Sequence, residues 1–379
     1  CIIARNYLPA LNMIELTFLE IIVIFIWVFV CRMMYRKFYP PRHLLLVYGY
    51  KTPTEFIDKI NARKDKYIIA DRIHVSEGEK ALKEKILQYD GVILCETKAY
   101  IRNELVKYCF EHSIRSYVVP KLSDIIILGA EPIHLFDTPL LLSRNQGLTG
   151  EDMIFKRLMD IIVSLIMIII FSPFMILIAL AIKLYDRGPV FYKQNRLTLN
   201  GRVFKIMKFR SMRMDSEEHG AQLARKHDDR ITPVGRVIRA THLDELPQLF
   251  NILKGDMSVV GPRPERPEIA AQYRETFPEF DYRLKMKAGL TGYAQVYGKY
   301  NTTPRDKVKL DLTYYEQYSL WLDLKLILLT FKILFQKENT EGIDANQTTA
   351  IREDRTKKTG IKHPHDEAED AFYSVEEKK

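Results

Sequence analysis

Cysteine is scarce in this chain of 379 residues. The four present, Cys1, Cys31, Cys95 and Cys109, form no C-x-x-C pair and no repeated spacing. That argues against a zinc site or a disulfide framework and suits a reducing, cytoplasmic setting for the soluble parts. No signal-peptide cleavage pattern is present, and the chain opens on Cys rather than Met, so an N-terminal portion is expected ahead of it. Internal repeats are absent. Hydrophobic residues make up 47% and charged residues 28% of the chain, too polar for a multi-span transporter. The formal net charge of +9 calls for an anionic partner: nucleic acid, anionic membrane lipids or a phosphorylated substrate. Charge alone does not choose among them.

Long apolar runs are few, and their flanks are informative. Leu16 to Cys31 is interrupted only by Glu20 and followed by Arg32, Arg36 and Lys37. It is at the short end for crossing a bilayer, and the basic cluster puts its C-terminal end in the cytoplasm. A buried core helix would read the same way. Residues 1–42 are therefore taken as a transmembrane segment.

From 43 to 141 short apolar strands alternate with amphipathic helices. Leu44–Tyr48, Tyr67–Ala70, Val92–Leu94 and Tyr117–Val119 read as strands; Glu55–Arg63, Glu77–Gln88 and Arg102–Glu111 read as helices. This alternation predicts a parallel sheet covered by helices, a Rossmann-like unit in an α/β protein. A glycine loop for a dinucleotide is missing. After the first strand stands Tyr48-Gly49-Tyr50-Lys51-Thr52-Pro53, with one glycine where G-x-G-x-x-G needs three. The domain is degenerate, suited to a structural or regulatory role.

A polar linker follows over 142–152. Then Ile161 to Ile182 is almost wholly apolar and long enough to span. Two features oppose a simple span. Ser172-Pro173 lies near the middle, where proline removes a helix hydrogen bond. The flanks, Lys156-Arg157 and Lys183 with Arg187, are both basic and both prefer the cytoplasm. A helix over 156–184 that breaks at Ser172-Pro173 and returns keeps both ends on one side, with the Ser172 hydroxyl available to a freed carbonyl. An ordinary kinked span is the alternative. Leu310–Gln336 carries Tyr314, Tyr315, Tyr318 and Trp321 ahead of an apolar run with lysines; it suits a helix lying in the membrane interface or one packed on the domain core. After 338 the chain is charged, apolar-poor and expected to be disordered.

Asp244 and Glu245 stand where a helix begins, with Thr241 as its cap, Pro247 in the first turn and Gly255 as its stop. Leu246, Leu249, Phe250 and Leu253 would form its buried face. Acidic residues in a first turn commonly just complement the helix dipole. Around this pair, however, lie Lys208 and Arg210, Arg236 and Arg239, and Arg263 inside Gly261-Pro262-Arg263-Pro264. Two carboxylates amid several cations suit a diphosphate site, in which one carboxylate can hold Mg²⁺ while the other attacks or acts as base. A solvated salt-bridge network uses the same residue types.

The order of blocks is more specific. Lys156-Arg157-Leu158-Met159-Asp160, Gly188-Pro189 through Gln194-Asn195-Arg196, Lys208-Phe209-Arg210-Ser211-Met212, Leu243-Asp244-Glu245-Leu246-Pro247-Gln248, Asn251 through Ser258, Gly261-Pro262-Arg263-Pro264 and Gly289-Leu290-Thr291-Gly292 follow one another. Together, over about 155 to 335, they resemble the bacterial sugar transferase family, the monotopic phosphoglycosyl transferases. The resemblance implies a catalytic domain over 153–337 with a re-entrant helix, preceded in larger members by transmembrane helices and a Rossmann-like domain. It implies that Asp244 attacks a UDP-sugar and that Glu245 positions Mg²⁺. Arg196, Lys208, Arg210, Arg239 and Arg263 would contact phosphate or nucleotide, and Ser172-Pro173 would break the membrane helix. It also implies a polyprenyl phosphate acceptor at the cytoplasmic face of the bacterial inner membrane, and a homodimer. Two positions depart from the pattern: Ala288 stands where many members have proline, and His242 replaces a smaller residue. An inactive membrane scaffold is the competing reading. Nucleic acid is excluded as a partner because the basic residues interleave with Gly-Pro turns and acids instead of gathering with exposed aromatics.

Overall fold

A computed structural model describes residues 10–50, 53–61, 66–143, 148–213, 230–298 and 302–334. The chain divides into two compact units, Cys1–Lys121 and Leu122–Lys379. The charged segment after 338 lies outside the described residues.

The first unit opens with helix α1 (Ala10–Phe38), whose stretch Met13–Phe38 is long and apolar enough to cross a membrane and is not buried among the described residues. It is longer than the apolar run suggested, because the basic Arg32, Arg36 and Lys37 continue the helix. Strand β1 (Arg42–Tyr48), α2 (Thr54–Asn61), β2 (Tyr67–His74), α3 (Glu79–Ile86), β3 (Gly91–Cys95), α4 (Ala99–Glu111) and β4 (Arg115–Val118) follow. The strands form one parallel sheet in the order β2-β1-β3-β4. Strand alternation divides the central residues between two faces. Leu45, Val47, Val92 and Leu94 meet Leu82, Ile86 and Leu105 of α3 and α4. Leu44, Leu46 and Ile93 meet Phe56, Ile57 and Ile60 of α2. Both faces are covered, which is why β1 and β3 read as unbroken apolar runs. The single glycine after β1 serves packing: a Cβ on Gly49 would stand 2.5 Å from the Glu96 carbonyl oxygen.

The second unit begins with α5 (Leu122–Leu128) and a hairpin of β5 (Glu131–Leu135) and β6 (Thr138–Leu142). The division thus falls ahead of the expected linker, because Ile125 of α5 packs into the core of this unit with Val308 and Leu312. Helix α6 (Gly150–Asp186) is capped by Thr149, whose Oγ1 accepts from the Asp152 amide at 3.2 Å, and ends at Arg187 in a left-handed turn. Proline 173 stands inside it. Its missing N–H frees the Ile169 carbonyl, and the Ser172 hydroxyl donates to that oxygen at 3.0 Å. Strands β7 (Phe191–Leu197) and β8 (Val203–Phe209) form an antiparallel ribbon. Then come α7 (Pro233–Ala240), a 3₁₀ turn at Leu243–Glu245, α8 (Gln248–Lys254), β9 (Ser258–Val260) and α9 (Pro267–Thr276). A further 3₁₀ turn (Pro278–Lys285), β10 (Gly289–Thr291), α10 (Tyr293–Tyr297), α11 (Pro304–Glu316) and α12 (Leu320–Leu334) follow. β9 and β10 pair in parallel.

Polar side chains fasten α6 to this unit. Lys156 donates to the Val260 carbonyl (3.0 Å), Tyr314 Oη (3.0 Å) and Asp323 Oδ2 (2.7 Å). Arg157 caps the carbonyls of Ile252 and Leu253 at 2.6 Å each, satisfying the C-terminal end of α8. Asp160 accepts from Ser258 Oγ and the Val259 amide, both at 2.9 Å. The first basic flank of the apolar run is therefore consumed by internal contacts instead of facing water. The segment 310–336, expected as one helix in the interface or on the core, falls in two helices. Tyr314 is buried in the first, and in the second Asp323 and Leu326 face inward while Trp321, Leu324, Leu328 and Phe331 are exposed.

Lys156→Met leaves the Asp323 carboxylate buried without its cation and is expected to cost about 3–5 kcal/mol. Adding Asp323→Leu is expected to recover part of that loss, as read from thermal unfolding of the detergent-solubilised protein.

Candidate active site

The carboxylate pair lies in the 3₁₀ turn Leu243–Glu245, one turn ahead of α8, and not inside the helix as the sequence suggested. Pro247 is the residue that stops the two from fusing, since it can begin a helix but cannot continue one. Thr241 closes α7 instead of capping α8. The chain reverses between them at His242, which adopts the left-handed conformation with φ 55°. The inward face of α8 is Gln248, Leu249, Asn251 and Ile252; Phe250 is exposed.

Asn251 sets this turn against β8. Its Oδ1 accepts from the Met207 amide at 2.9 Å and its Nδ2 donates to the Lys205 carbonyl at 2.9 Å. The next strand residue, Lys208, thereby reaches Glu245 Oε1 at 2.6 Å. Arg263 reaches the same oxygen at 3.1 Å from the other side. The Arg263 loop owes its approach to bare backbone: a Cβ on Gly261 would stand 2.3 Å from the Lys287 carbonyl oxygen. Gly289 answers it, donating its amide to the Pro262 carbonyl at 2.9 Å.

The two neighbouring carboxylates are held in opposite conditions. Burial opposes the Glu245 charge, but Lys208 and Arg263 outweigh it and hold this carboxyl well below the usual range. Asp244 makes no hydrogen bond or ion pair among the described residues and is only 9% exposed. Burial pushes its carboxyl up; Lys208 opposes the shift, Glu245 adds to it, and Arg239 from the last turn of α7 opposes it again. A partly desolvated, uncompensated carboxylate beside a firmly ionised one is an arrangement for nucleophilic attack next to an anion-binding cluster.

Asp244, Glu245, Lys208 and Arg263 thus come together, with Arg239 close enough to act on Asp244. Arg196 joins through the loop: its Nη1 donates to the Pro264 carbonyl at 3.0 Å, and burial pushes its guanidinium down to about 10. Arg210 turns elsewhere, pairing with Asp186 at the end of α6. Gly188 makes room for it, since a Cβ there would meet the Arg210 guanidinium at 2.1 Å. Ser172 and Pro173 sit within α6 and take no part in the cluster. Sequence reasoning missed Asn251, Asp186 and Glu265. Asn251 lies inside one of the blocks and Glu265 directly follows another, and polarity at an apolar-periodic position was the available signal for the first.

Among the described residues no group of three metal-ligating side chains exists. Mg²⁺ does not require one, because it binds by one or two carboxylates together with substrate phosphates. Asp244 and the Oε2 atom of Glu245, free of other bonds among the described residues, fit that demand.

A basic loop frame thus surrounds an adjacent acidic pair, on a unit that carries a long apolar helix. The chain belongs to the bacterial sugar transferase family. The family model matches residues 151–337. A UDP-glucose:undecaprenyl-phosphate glucose-1-phosphate transferase of Caulobacter vibrioides is 40% identical over 189 residues, which cover 48% of this chain and 71% of that protein. One of the same name from Klebsiella pneumoniae is 43% identical over 209 residues, 54% of this chain and 43% of the relative. A UDP-N-acetylgalactosamine-undecaprenyl-phosphate N-acetylgalactosaminephosphotransferase of Aeromonas hydrophila is 45% identical over 182 residues, 47% of this chain and 43% of the relative. The chain thus spans less than half the length of these last two.

The opposite conditions of the pair give opposite effects on stability. Asp244→Asn removes a desolvated, unpaired charge and is expected to raise the thermal midpoint. Glu245→Gln keeps an acceptor oxygen but removes the charge that Lys208 and Arg263 share, and is expected to cost about 2 kcal/mol. Glu245 has the depressed carboxyl, so its stabilisation is full above its unfolded pKa and is lost as pH falls toward the folded one. The destabilisation by Glu245→Gln should therefore shrink in acid, as measured by thermal unfolding across pH.

Proposed function

We propose that the chain transfers a sugar 1-phosphate from a UDP-sugar to a polyprenyl phosphate and releases UMP. The observation that carries this is the split state of the acidic pair: Asp244 free and desolvated, Glu245 tied to Lys208 and Arg263. A carboxylate oxygen of Asp244 attacks the sugar-bearing phosphorus, a new P–O bond forms, and the bond to UMP breaks with its electron pair leaving on UMP. A phosphate oxygen of the polyprenyl phosphate then attacks the same phosphorus and expels the Asp244 carboxylate, giving polyprenyl-diphosphate-sugar. Lys208 and Arg263 hold the diphosphate, Arg239 keeps Asp244 ionised, and Arg196 supports the Arg263 loop. Arg210 anchors the end of α6 beside this site. Mg²⁺, held by Glu245 and Asp244, would neutralise charge on the diphosphate.

The way α6 is fastened supports one membrane arrangement. Its 37 residues would reach about 55 Å as a straight helix, against about 30 Å of hydrocarbon. Ahead of the proline, Val163, Met167 and Ile168 pack against the core around Leu249 and Met257. Beyond it, Met175, Ile178 and Ile182 pack with Phe209 and Ile238. Both halves attach to the same unit, and the residues between Ile168 and Met175 would span only about 10 Å. This supports a helix that enters and leaves the bilayer on one face, with Ser172-Pro173 at the turning region and the catalytic domain cytoplasmic. The parallel sheet of the first unit supports a Rossmann-like domain whose phosphate loop has been lost to packing at Gly49.

Detergent-solubilised protein with Mg²⁺, undecaprenyl phosphate and a panel of UDP-sugars is expected to release UMP, and Asp244→Asn to abolish release while the fold persists. Release that survives Asp244→Asn, or none from any donor, refutes the mechanism. Because Arg239 works to keep the raised Asp244 carboxyl ionised, Arg239→Met is expected to move the acid limb of kcat/KM to higher pH. An unmoved limb would mean that Asp244 does not titrate there.

A further inference from the structure

The loop that carries Arg263 is gripped carbonyl by carbonyl. The oxygen of Pro262 accepts from the Gly289 amide at 2.9 Å, that of Arg263 from Arg283 Nη2 at 2.9 Å, that of Pro264 from Arg196 Nη1 at 3.0 Å, and that of Glu265 from the Leu197 amide at 3.0 Å. Two of these donors are backbone. Arg196 is braced by a neighbour on its own strand, Gln194, at 2.7 and 3.0 Å. Arg283 differs. It lies in the 3₁₀ turn Pro278–Lys285, its side chain is 2% exposed, and it is held by a carboxylate from a distant helix. Asp311 of α11, 1% exposed at its side chain, accepts from Arg283 Nε at 3.0 Å and stands 2.9 Å from Nη2. Glu265 lies 3.6 Å from Arg283 Nη1 and 3.8 Å from Lys307, so the acid two residues beyond Arg263 belongs to the same network.

An ion pair buried this deeply rarely adds net stability, since the desolvation of both partners consumes most of the attraction. What it supplies is direction. A guanidinium fork locked by one carboxylate has its remaining N–H bonds fixed in space. Here the fixed bond ends on the main chain of Arg263, which among the described residues is the arginine that reaches Glu245 and is still half exposed, ready for an incoming anion. Apolar side chains would fill the same volume without placing a hydrogen bond on that carbonyl.

We propose that Arg283, locked by Asp311, is a positioning residue for the transfer: it fixes the Arg263 main chain so that the Arg263 guanidinium stays between Glu245 and the donor diphosphate. This rests on the functional reading above. It extends the site to a buried pair that touches neither substrate nor the acidic pair. It also requires that the effect of Arg283 pass through Arg263 and through nothing else.

Lysine at 283 keeps the charge but cannot fork between Asp311 and the carbonyl. Arg283→Lys is therefore expected to lower kcat/KM by about tenfold, chiefly through a higher KM for the donor. The test is a double-mutant cycle measured by UMP release from UDP-glucose, UDP-galactose and UDP-N-acetylgalactosamine with undecaprenyl phosphate, with thermal midpoints alongside. In an Arg263→Met background, Arg283→Lys should cost little further activity. Losses that multiply, or a fall in kcat that tracks lost thermal stability at unchanged KM, would overturn the assignment and leave Arg283 a structural residue. Asp311→Asn, nearly isosteric, is put through the same cycle if the lysine variant does not fold. Wild type that releases no UMP from any donor sinks the functional reading and this inference with it, whereas an active wild type with multiplying losses sinks only the inference.

Discussion

Two carboxylates on consecutive residues of a tight turn compete for the same cations, and the rest of the second unit is arranged around how that competition ends. Lys208 and Arg263 both converge on one oxygen of Glu245. Asp244, a residue earlier, is left with charges that reach it only through space. At the short distances within such a turn, two ionised carboxylates repel strongly when water is thin, so compensating one fully is the condition for keeping both charged. The result is an asymmetric pair: a bound anion that fixes the cations, and beside it a loosely held oxygen free to react. Supporting features serve this asymmetry. Asn251 aligns β8 so that Lys208 arrives, and the glycines at 261 and 289 let the Arg263 loop close from the opposite side.

The same unit solves a second problem with the same kind of contact. A 37-residue apolar helix has little reason to adhere to a polar body, because its side chains are as well placed in lipid. The buried contacts of Lys156, Arg157 and Asp160 supply the direction that apolar packing lacks. Each takes up a main-chain group of the body: the Val260 carbonyl, the last carbonyls of α8, the Val259 amide. These residues abut the segment leading into Gly261, so the fastening of the helix and the placement of the loop share one stretch of backbone.

How much of this could be read beforehand depended on the range of the interaction. The parallel sheet was legible because alternation and length are local, and the fully buried β1 and β3 announced themselves as unbroken runs. The acidic pair and Lys208 and Arg263 were legible as a set, because their blocks are distinctive. Their division of labour was not. Nothing in Asp244-Glu245 says which of the two will meet the cations; that is decided by the left-handed turn at His242 and by the side chain of Asn251, each acting from outside the pair. Lys156 and Arg157 misled for the same reason. A basic flank beside an apolar run reads as a mark of sidedness, and only the fold shows that their partners come from α8, β9, α11 and α12. Arg210 was grouped with the phosphate-binding cations by its proximity to Lys208, yet it pairs with Asp186.

The pairing of Arg210 with Asp186 bears on how, on the proposed reading, a lipid acceptor and a water-soluble donor would meet. Lys208 lies on β8 and Arg210 directly follows its last residue, Phe209. One holds Glu245; the other holds Asp186, the last residue of α6. The end of β8 therefore ties the acidic turn to the point where the apolar helix emerges. On the proposed reading this is the level at which a polyprenyl phosphate would carry its head group, since its chain stays in the hydrocarbon while its phosphate stays wet. On that reading the donor, fully hydrated, would approach the half-exposed Arg263 from the aqueous side. Arg210, paired with Asp186, has a reason for its place in the fold: it holds the end of the helix beside the strand that carries Lys208.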